Sequence, residues 1–292
     1  MAPAAVNTPF RDPDFGSRMV RVTGANTLSG IGSFFTGYSF MTAASAEANT
    51  WSVFDPSIGE HGGYRFLITN SGGWEMPFIL DATTMHVSRA TGRPGGYLYN
   101  RWDGALDFAN TFSFRNPDIL FGVQGTELVS YNFATDAVSD IYNWAACPNL
   151  PAYVHGYAGS ISNSGDDTKF SYYLGGAEQG DTELVLYYNR TANDGAGACY
   201  WYDTKTGVAG GTKMADTHVV GGGWETAGYY VHNARLSRDG TVVKINVNGD
   251  SGIYFWKAGT NQVIPCGVFS ADCGGHQALG YTHFINDPNS TD

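Results

Sequence analysis

Three histidines recur in like surroundings. Tyr153-Val154-His155 and Tyr230-Val231-His232 each precede a stretch that reads as a strand, and Gly275-His276-Gln277 precedes the next. A neutral imidazole nitrogen is a good ligand for a divalent metal, so three imidazoles brought to one point, with Gln277, Asn233 and His283 near them, could hold one. The plainer reading is that each histidine hydrogen-bonds to a neighbouring element and fixes a loop. His61, His86 and His218 have no recurrent position and read as surface or structural groups.

Tryptophan offers a second chemistry. A flat aromatic face stacks on the apolar face of a pyranose, which makes Trp74, Trp102, Trp144, Trp201, Trp224 and Trp256 candidate sugar platforms. Trp201 and Trp256 fall inside strand-like runs and are expected to pack. Trp74, Trp102 and Trp224 lie in glycine-rich loops (Gly72-Gly73-Trp74, Trp102-Asp103-Gly104 and Gly221-Gly222-Gly223-Trp224) and are better placed to bind. Asp14, Asp166, Asp167, Asp181 and Asp194 are general-base or calcium-ligand types, but without EF-hand spacing they read as solvated turn residues. The sequence has no nucleophile elbow, phosphate loop, zinc-protease helix or dinucleotide fingerprint.

The elements that must position these groups are written in a repeat. Four times an apolar or aromatic residue is followed by a polar residue, two variable residues, a threonine and, three positions on, a small apolar residue: Leu80 to Val87, Tyr131 to Val138, Tyr202 to Ala209 and Trp256 to Val263. Each copy follows strand-forming residues and has a polar centre, so each reads as the hairpin between the last two strands of an antiparallel unit. The threonines, Thr84, Thr135, Thr206 and Thr260, are 51, 71 and 54 residues apart, a period that suits the blades of a β-propeller.

The expected fold is therefore all-β: a propeller with four four-stranded blades at about 39–90, 105–145, 153–216 and 230–267, and a partial fifth blade at 276–286. The first blade is expected to open at Ser39 to Thr42. The third groups Lys169 to Leu174 with Glu183 to Tyr188 and ends near Lys213. Residues 1–35 read as an N-terminal segment with one strand, Met19 to Thr23, and residues 36–292 as the propeller domain. The strands near Val20 and Phe284 are expected to meet and cover open edges, and a truncated larger propeller is one reading of the incomplete ring. Innermost strands line the channel of such a ring, which would gather His155, His232, His276 and Gln277 at its mouth.

Composition narrows the classes. The 39 glycines and 14 % aromatic residues, with only 15 % charged, suit short strands joined by tight turns. Sixteen basic against 27 acidic residues give a net charge of -11, which argues against nucleic acid and anionic lipid as partners. No run of eighteen apolar residues occurs, and Met1 to Val6 lacks the basic start and apolar core of a signal peptide. The chain is thus expected either to stay inside the cell or to begin at a mature or engineered boundary. Cys266 and Cys273, seven apart across a flexible glycine- and serine-containing loop, are placed to close a disulfide, which leans toward export. Cys147 and Cys199 fall in different blades and read as free buried thiols. Asn189-Arg190-Thr191 and Asn289-Ser290-Thr291 fit the glycosylation pattern.

His232-Asn233-Ala234-Arg235-Leu236-Ser237-Arg238-Asp239-Gly240-Thr241 resembles the innermost strand and following turn of TolB-like and WD40-like propellers, and Tyr202-Asp203-Thr204-Lys205-Thr206-Gly207 resembles their later hairpin. The likeness spans about residues 40–286 and concerns the fold. It implies a protein that binds proteins or glycans, or one that acts as a lyase or hydrolase. His155, His232, His276 and Gln277 are similar in type to the metal-holding histidines and glutamine of the oligogalacturonate lyases, a divalent metal being the cofactor this implies. The reading is an extracellular or periplasmic propeller that binds a glycan or other extracellular ligand through loop aromatics and a polar mouth. The alternatives are a metal-assisted polysaccharide lyase or hydrolase, and a protein-interaction scaffold.

Overall fold

A computed structural model describes residues 5–24, 34–36, 64–70, 75–81, 83–89, 111–116, 118–151, 157–158, 161–175, 184–214, 230–248 and 253–265. Within them the chain is antiparallel β-structure with two short 3₁₀ turns, Trp144–Ala146 and Asn193–Gly195, and no α-helix. It divides into two compact units. The first comprises Met1–Asp107, Phe112–Gly125 and Val129–Ser139; the second comprises Phe108–Thr111, Thr126–Leu128 and Asp140–Asp292.

In the first unit, β1 (Pro9–Arg11) and β2 (Arg18–Val20) form a hairpin where the sequence suggests one strand. Three-residue strands are too short to show a period. The turn is nevertheless encoded: Asp12 Oδ1 accepts from the amides of Asp14 and Phe15 at 2.9 and 2.8 Å, and Gly16 takes φ +68°. The first sheet runs β3 (Phe34–Thr36), β4 (Tyr64–Asn70), β5 (Glu75–Asp81), β6 (His86–Arg89) in chain order. Its first strand therefore starts at Phe34, earlier than expected; residues 39–63 lie outside the described residues. Met76, Phe78 and Val87 pack with Leu80, Val20 and Val22, so the N-terminal hairpin is fastened to this sheet. Asn7 completes the attachment: its side chain donates to Val87 O at 2.9 Å and accepts from Val87 N at 2.6 Å, satisfying backbone groups on the edge strand. The region of Phe284, expected to meet Val20, lies outside the described residues.

The second sheet is a meander of β7 (Thr111–Phe112), β8 (Ile119–Gln124), β9 (Glu127–Asn132) and β10 (Ala137–Asn143). Phe112, Leu120, Val129, Tyr131 and Phe133 form its core, with Tyr131 edge-on to Phe133 at 4.9 Å.

The third sheet departs from the four-strand expectation. Its strands are β11 (Tyr157–Ala158), β12 (Ser162–Asn163), β13 (Lys169–Gly175), β14 (Leu184–Asn189), β15 (Ala198–Asp203) and β16 (Ala209–Gly211). Both β11 and β12 pair with β13, and the order then runs on to β16, which makes five positions. The segments grouped as one element in the sequence are two full strands, paired from Lys169↔Asn189 to Leu174↔Leu184. The cause is visible in β14, whose residues Leu184 to Tyr188 are all buried, so the sheet is covered on both faces. Its last strand ends at Gly211, short of Lys213, because Gly211 has φ +131° and lies where a Cβ would come within 2.3 Å of Cys199 O.

The fourth sheet is β17 (Tyr230–Leu236), β18 (Val242–Asn248), β19 (Ile253–Lys257) and β20 (Val263–Pro265) in sequence order. One cluster joins it to the third sheet: Tyr173, Val185, Tyr187, Tyr202 and Ala209 pack with Val231, Ala234, Leu236, Val243, Ile245, Trp256 and Val263. Trp256 is fully buried there, its indole N–H donating to Thr260 O at 2.7 Å.

Each threonine turn joins the last two strands of its sheet. In three of them the polar second residue caps the turn: Asp81, Asn132 and Asp203 Oδ1 each accept two backbone N–H groups, the second from the threonine, at 2.8 to 3.2 Å. The residue after the threonine then turns left-handed, as Met85, Asp136 and Gly207. In the fourth copy Lys257 cannot cap. Thr260 Oγ1 donates to Lys257 O at 2.8 Å instead, and the left-handed residue is Gly259, before the threonine.

Candidate functional site

Two twin turns stand between the third and fourth sheets. Ser164 Oγ donates to Asp166 Oδ1 at 2.5 Å and accepts from Lys169 N at 3.0 Å; Ser237 Oγ donates to Asp239 Oδ1 at 2.6 Å and accepts from Val242 N at 3.0 Å. Asp167 and Gly240 supply the left-handed residue, at φ 58° and 70°. The turns also hold each other: Gly165 N donates to Arg238 O at 2.7 Å and Lys169 Nζ to Asp239 O at 3.0 Å. A Cβ at Gly165 would come within 2.6 Å of Arg238 Cγ.

Burial works to raise both carboxyls, but for Asp166 the bonds from Ser164 and Thr168, and for Asp239 those from Ser237 and Thr241, prevail with the charge of Lys169, leaving both below the ordinary aspartate range. Such carboxylates are committed to the turns. Asp166 is an exposed turn residue, as its sequence suggests, whereas Asp167 is only 9 % exposed and accepts from Asn163 Nδ2 at 2.7 Å. Asp14 and Asp194 are exposed, as turn residues should be, and Asp181 lies outside the described residues.

The tryptophans sort by burial. Trp144, Trp201 and Trp256 are 0 %, 4 % and 0 % exposed, so Trp144 is corrected from platform to core residue. It stacks on Tyr172 at 5.8 Å and meets Tyr142 and Tyr188 edge-on, on the face of the third sheet away from the Trp256 cluster. Tyr142 in turn stacks on Tyr188 at 4.0 Å, and burial pushes the Tyr142 phenol up to about 12. Trp74, Trp102 and Trp224, and likewise His155, His276, Gln277, Cys266 and Cys273, lie outside the described residues.

His232 is placed by its backbone. The register of β17 with β18 shifts between Val231 and Asn233, which leaves His232 as the extra residue of a β-bulge on the first strand of its sheet. No group of three or more histidines, cysteines or carboxylates that could hold a metal occurs among the described residues.

Cys147 and Cys199 are bonded, with Cα atoms 5.3 Å apart, which corrects their reading as free thiols. After β10 the chain turns through Trp144–Ala146, and Trp201 Nε1 donates to Pro148 O at 3.1 Å, bringing the segment onto β15. The sequence hides this because the partners are 52 residues apart in different repeats. Sequence reasoning also passed over Lys244, buried on β18 in a run of alternating Val, Lys, Ile and Asn that offers only its periodicity as a signal. No helix among the described residues is long and apolar enough to cross a membrane.

No family model matches the chain, and no curated protein does. Solved structures similar to it include TolB from Acinetobacter baumannii, at 12 % identity and TM-score 0.37, covering 88 % of this chain and 47 % of that one. Oligogalacturonate lyase from Vibrio parahaemolyticus is similar at 12 % identity and TM-score 0.43, covering 88 % and 71 %. The Swd1 β-propeller domain of Myceliophteria thermophila is similar at 9 % identity and TM-score 0.38, covering 70 % and 55 %. The chain thus spans about half the length of the TolB structure. At the level of fold it resembles TolB-like and WD40-like propellers.

Proposed function

We propose that this chain is an exported β-propeller, four blades and part of a fifth from a larger ring, that binds a glycan through the loop tryptophans Trp74, Trp102 and Trp224. The observation that carries export is the Cys147–Cys199 bond, since disulfides persist outside the reducing cytosol, in the extracellular space or a periplasm. Binding through loops is supported by how the three described tryptophans are spent: Trp144 in its 3₁₀ turn and Trp201 and Trp256 on strands are all buried in packing and leave no ring face for a sugar. The test is affinity electrophoresis of the full chain through gels containing neutral and acidic polysaccharides. Retardation in one of them, lost in Trp74→Ala, Trp102→Ala or Trp224→Ala, is the expected result; free migration through all of them contradicts it.

A metal-assisted polysaccharide lyase or hydrolase centred on His155, His232 and His276 is the second reading. Its support is the bulge at His232, since bulges re-aim side chains and are common beside active sites. Metal uptake by the full chain that disappears in His232→Ala is its expected outcome; uptake unchanged in that variant sinks it.

A further inference from the structure

Strand β14 ends on Asn189, the first residue of Asn189-Arg190-Thr191, and the chain re-enters the sheet only at Ala198, where β15 begins. The turn between them faces solvent: Arg190, Thr191, Asn193, Asp194, Gly195 and Ala196 are exposed and Asn189 is partly so. Beyond Arg190 no side chain of residues 191–197 is larger than an asparagine or aspartate. A bulky group on Asn189 would meet little protein there.

The bonding within the motif leaves the amide nitrogen uncommitted. Asn189 Oδ1 accepts from Thr191 Oγ1 at 2.9 Å and from Thr191 N at 3.1 Å, while Asn189 Nδ2 makes no hydrogen bond among the described residues. The disulfide lies in the same hairpin. Asn189 pairs with Ala198, and the next residue, Cys199, is bonded to Cys147. A bond that persists in oxidising compartments and a sequon that belongs on the surface of secreted proteins thus stand side by side.

We propose that Asn189 is an acceptor of an N-linked glycan, the donor being a lipid-linked oligosaccharide supplied with its transferase by a eukaryotic secretory compartment. The proposal rests on the export reading above, and the glycan it adds is carried by the chain, separate from any sugar bound by the loop tryptophans. In the transfer, Nδ2 of Asn189 bonds to the anomeric carbon of the first sugar. The bond from that carbon to the lipid pyrophosphate oxygen breaks, its electron pair leaves with the pyrophosphate, and one amide proton is released, so nothing is oxidised or reduced.

The experiment is expression of the full chain in yeast behind a cleavable secretion signal, with cells and medium both analysed. All forms carry Asn289→Gln, which removes the other sequon and leaves Asn189 as the single candidate. The expected result is a mass excess that an N-glycosidase removes, with the site of release mapped to position 189. Asn189→Gln and Thr191→Ala should each abolish the excess, and Thr191→Ser, which keeps the hydroxyl, should retain it. Thiol alkylation before and after reduction reads the Cys147–Cys199 bond in the same samples. A disulfide-bonded chain with no glycan at position 189 refutes the acceptor site and leaves export standing, whereas free thiols with no glycan refute the export reading and the site with it. Should Asn189→Gln fail to fold, an excess that survives in Thr191→Ala refutes the site equally.

Discussion

Cys147, at the end of a 3₁₀ turn after the second sheet, is bonded to Cys199 on the fourth strand position of the third sheet, so a covalent tie crosses 52 residues of the second compact unit. Closing a loop of that length removes conformational freedom from the unfolded chain. Replacing both residues by serine should cost about 2 to 4 kcal/mol. Urea denaturation checks it: the midpoint should fall in the double variant, and reductant should lower the native midpoint but leave the variant's unchanged. Equal midpoints in all four samples would remove the tie from the account.

The threonine turns make unequal demands on their second residue. Asp203→Ala deletes an acceptor of two backbone N–H groups and should destabilise by about 1 kcal/mol, whereas Lys257→Ala should change stability by less than about 0.5 kcal/mol. Met85 sits left-handed at φ 60°, so Met85→Gly should be neutral or stabilising despite glycine's entropy. Denaturation of the three variants side by side checks all of it, and a larger loss in Lys257→Ala than in Asp203→Ala would contradict it.

Lys244 gives the protein an alkaline signature. Burial, with Arg235 adding to it, lowers its pKa from 10.5 to about 8. Between these values the unfolded chain holds a proton that the folded chain has released, so stability should rise with pH from about 8 toward 10. Below pH 8 both states are protonated and the cost of burying the charge is fully present. The raised phenol of Tyr142 acts oppositely, lowering stability above about pH 10, where the unfolded tyrosine ionises first. Unfolding midpoints measured from pH 7 to 10 without phosphate should climb in the native chain and stay flat in Lys244→Met; a climb of equal size in both assigns the effect elsewhere.

What was legible in the sequence was whatever repeats. The strands at 119–124, 127–132 and 242–248 and the four threonine hairpins carry alternation or turn chemistry that local physics enforces. Features set by neighbours were not legible. β14 is covered on both faces and so loses the alternation that would mark it as a separate strand, and Cys147 finds Cys199 only once β10 and β15 are in place. The candidate site was legible as residue types alone. Asp166 is the exposed turn residue its sequence suggests, held by Ser164 two positions away, whereas Asp167 looks solvated in sequence but is buried, accepting from Asn163, which pairs with Phe170 of β13.

Loop tryptophans that bind sugar must meet it directly, and their emission reports the contact. Titrating the full chain with an oligosaccharide of whichever polysaccharide retards it, while following tryptophan fluorescence, tests this most directly. Trp144, Trp201 and Trp256 are buried and should be indifferent, so the account predicts a saturable change that shrinks in Trp74→Ala, Trp102→Ala or Trp224→Ala with matching loss of affinity. A change of undiminished size and midpoint in all three variants, or none in the native chain, would contradict it.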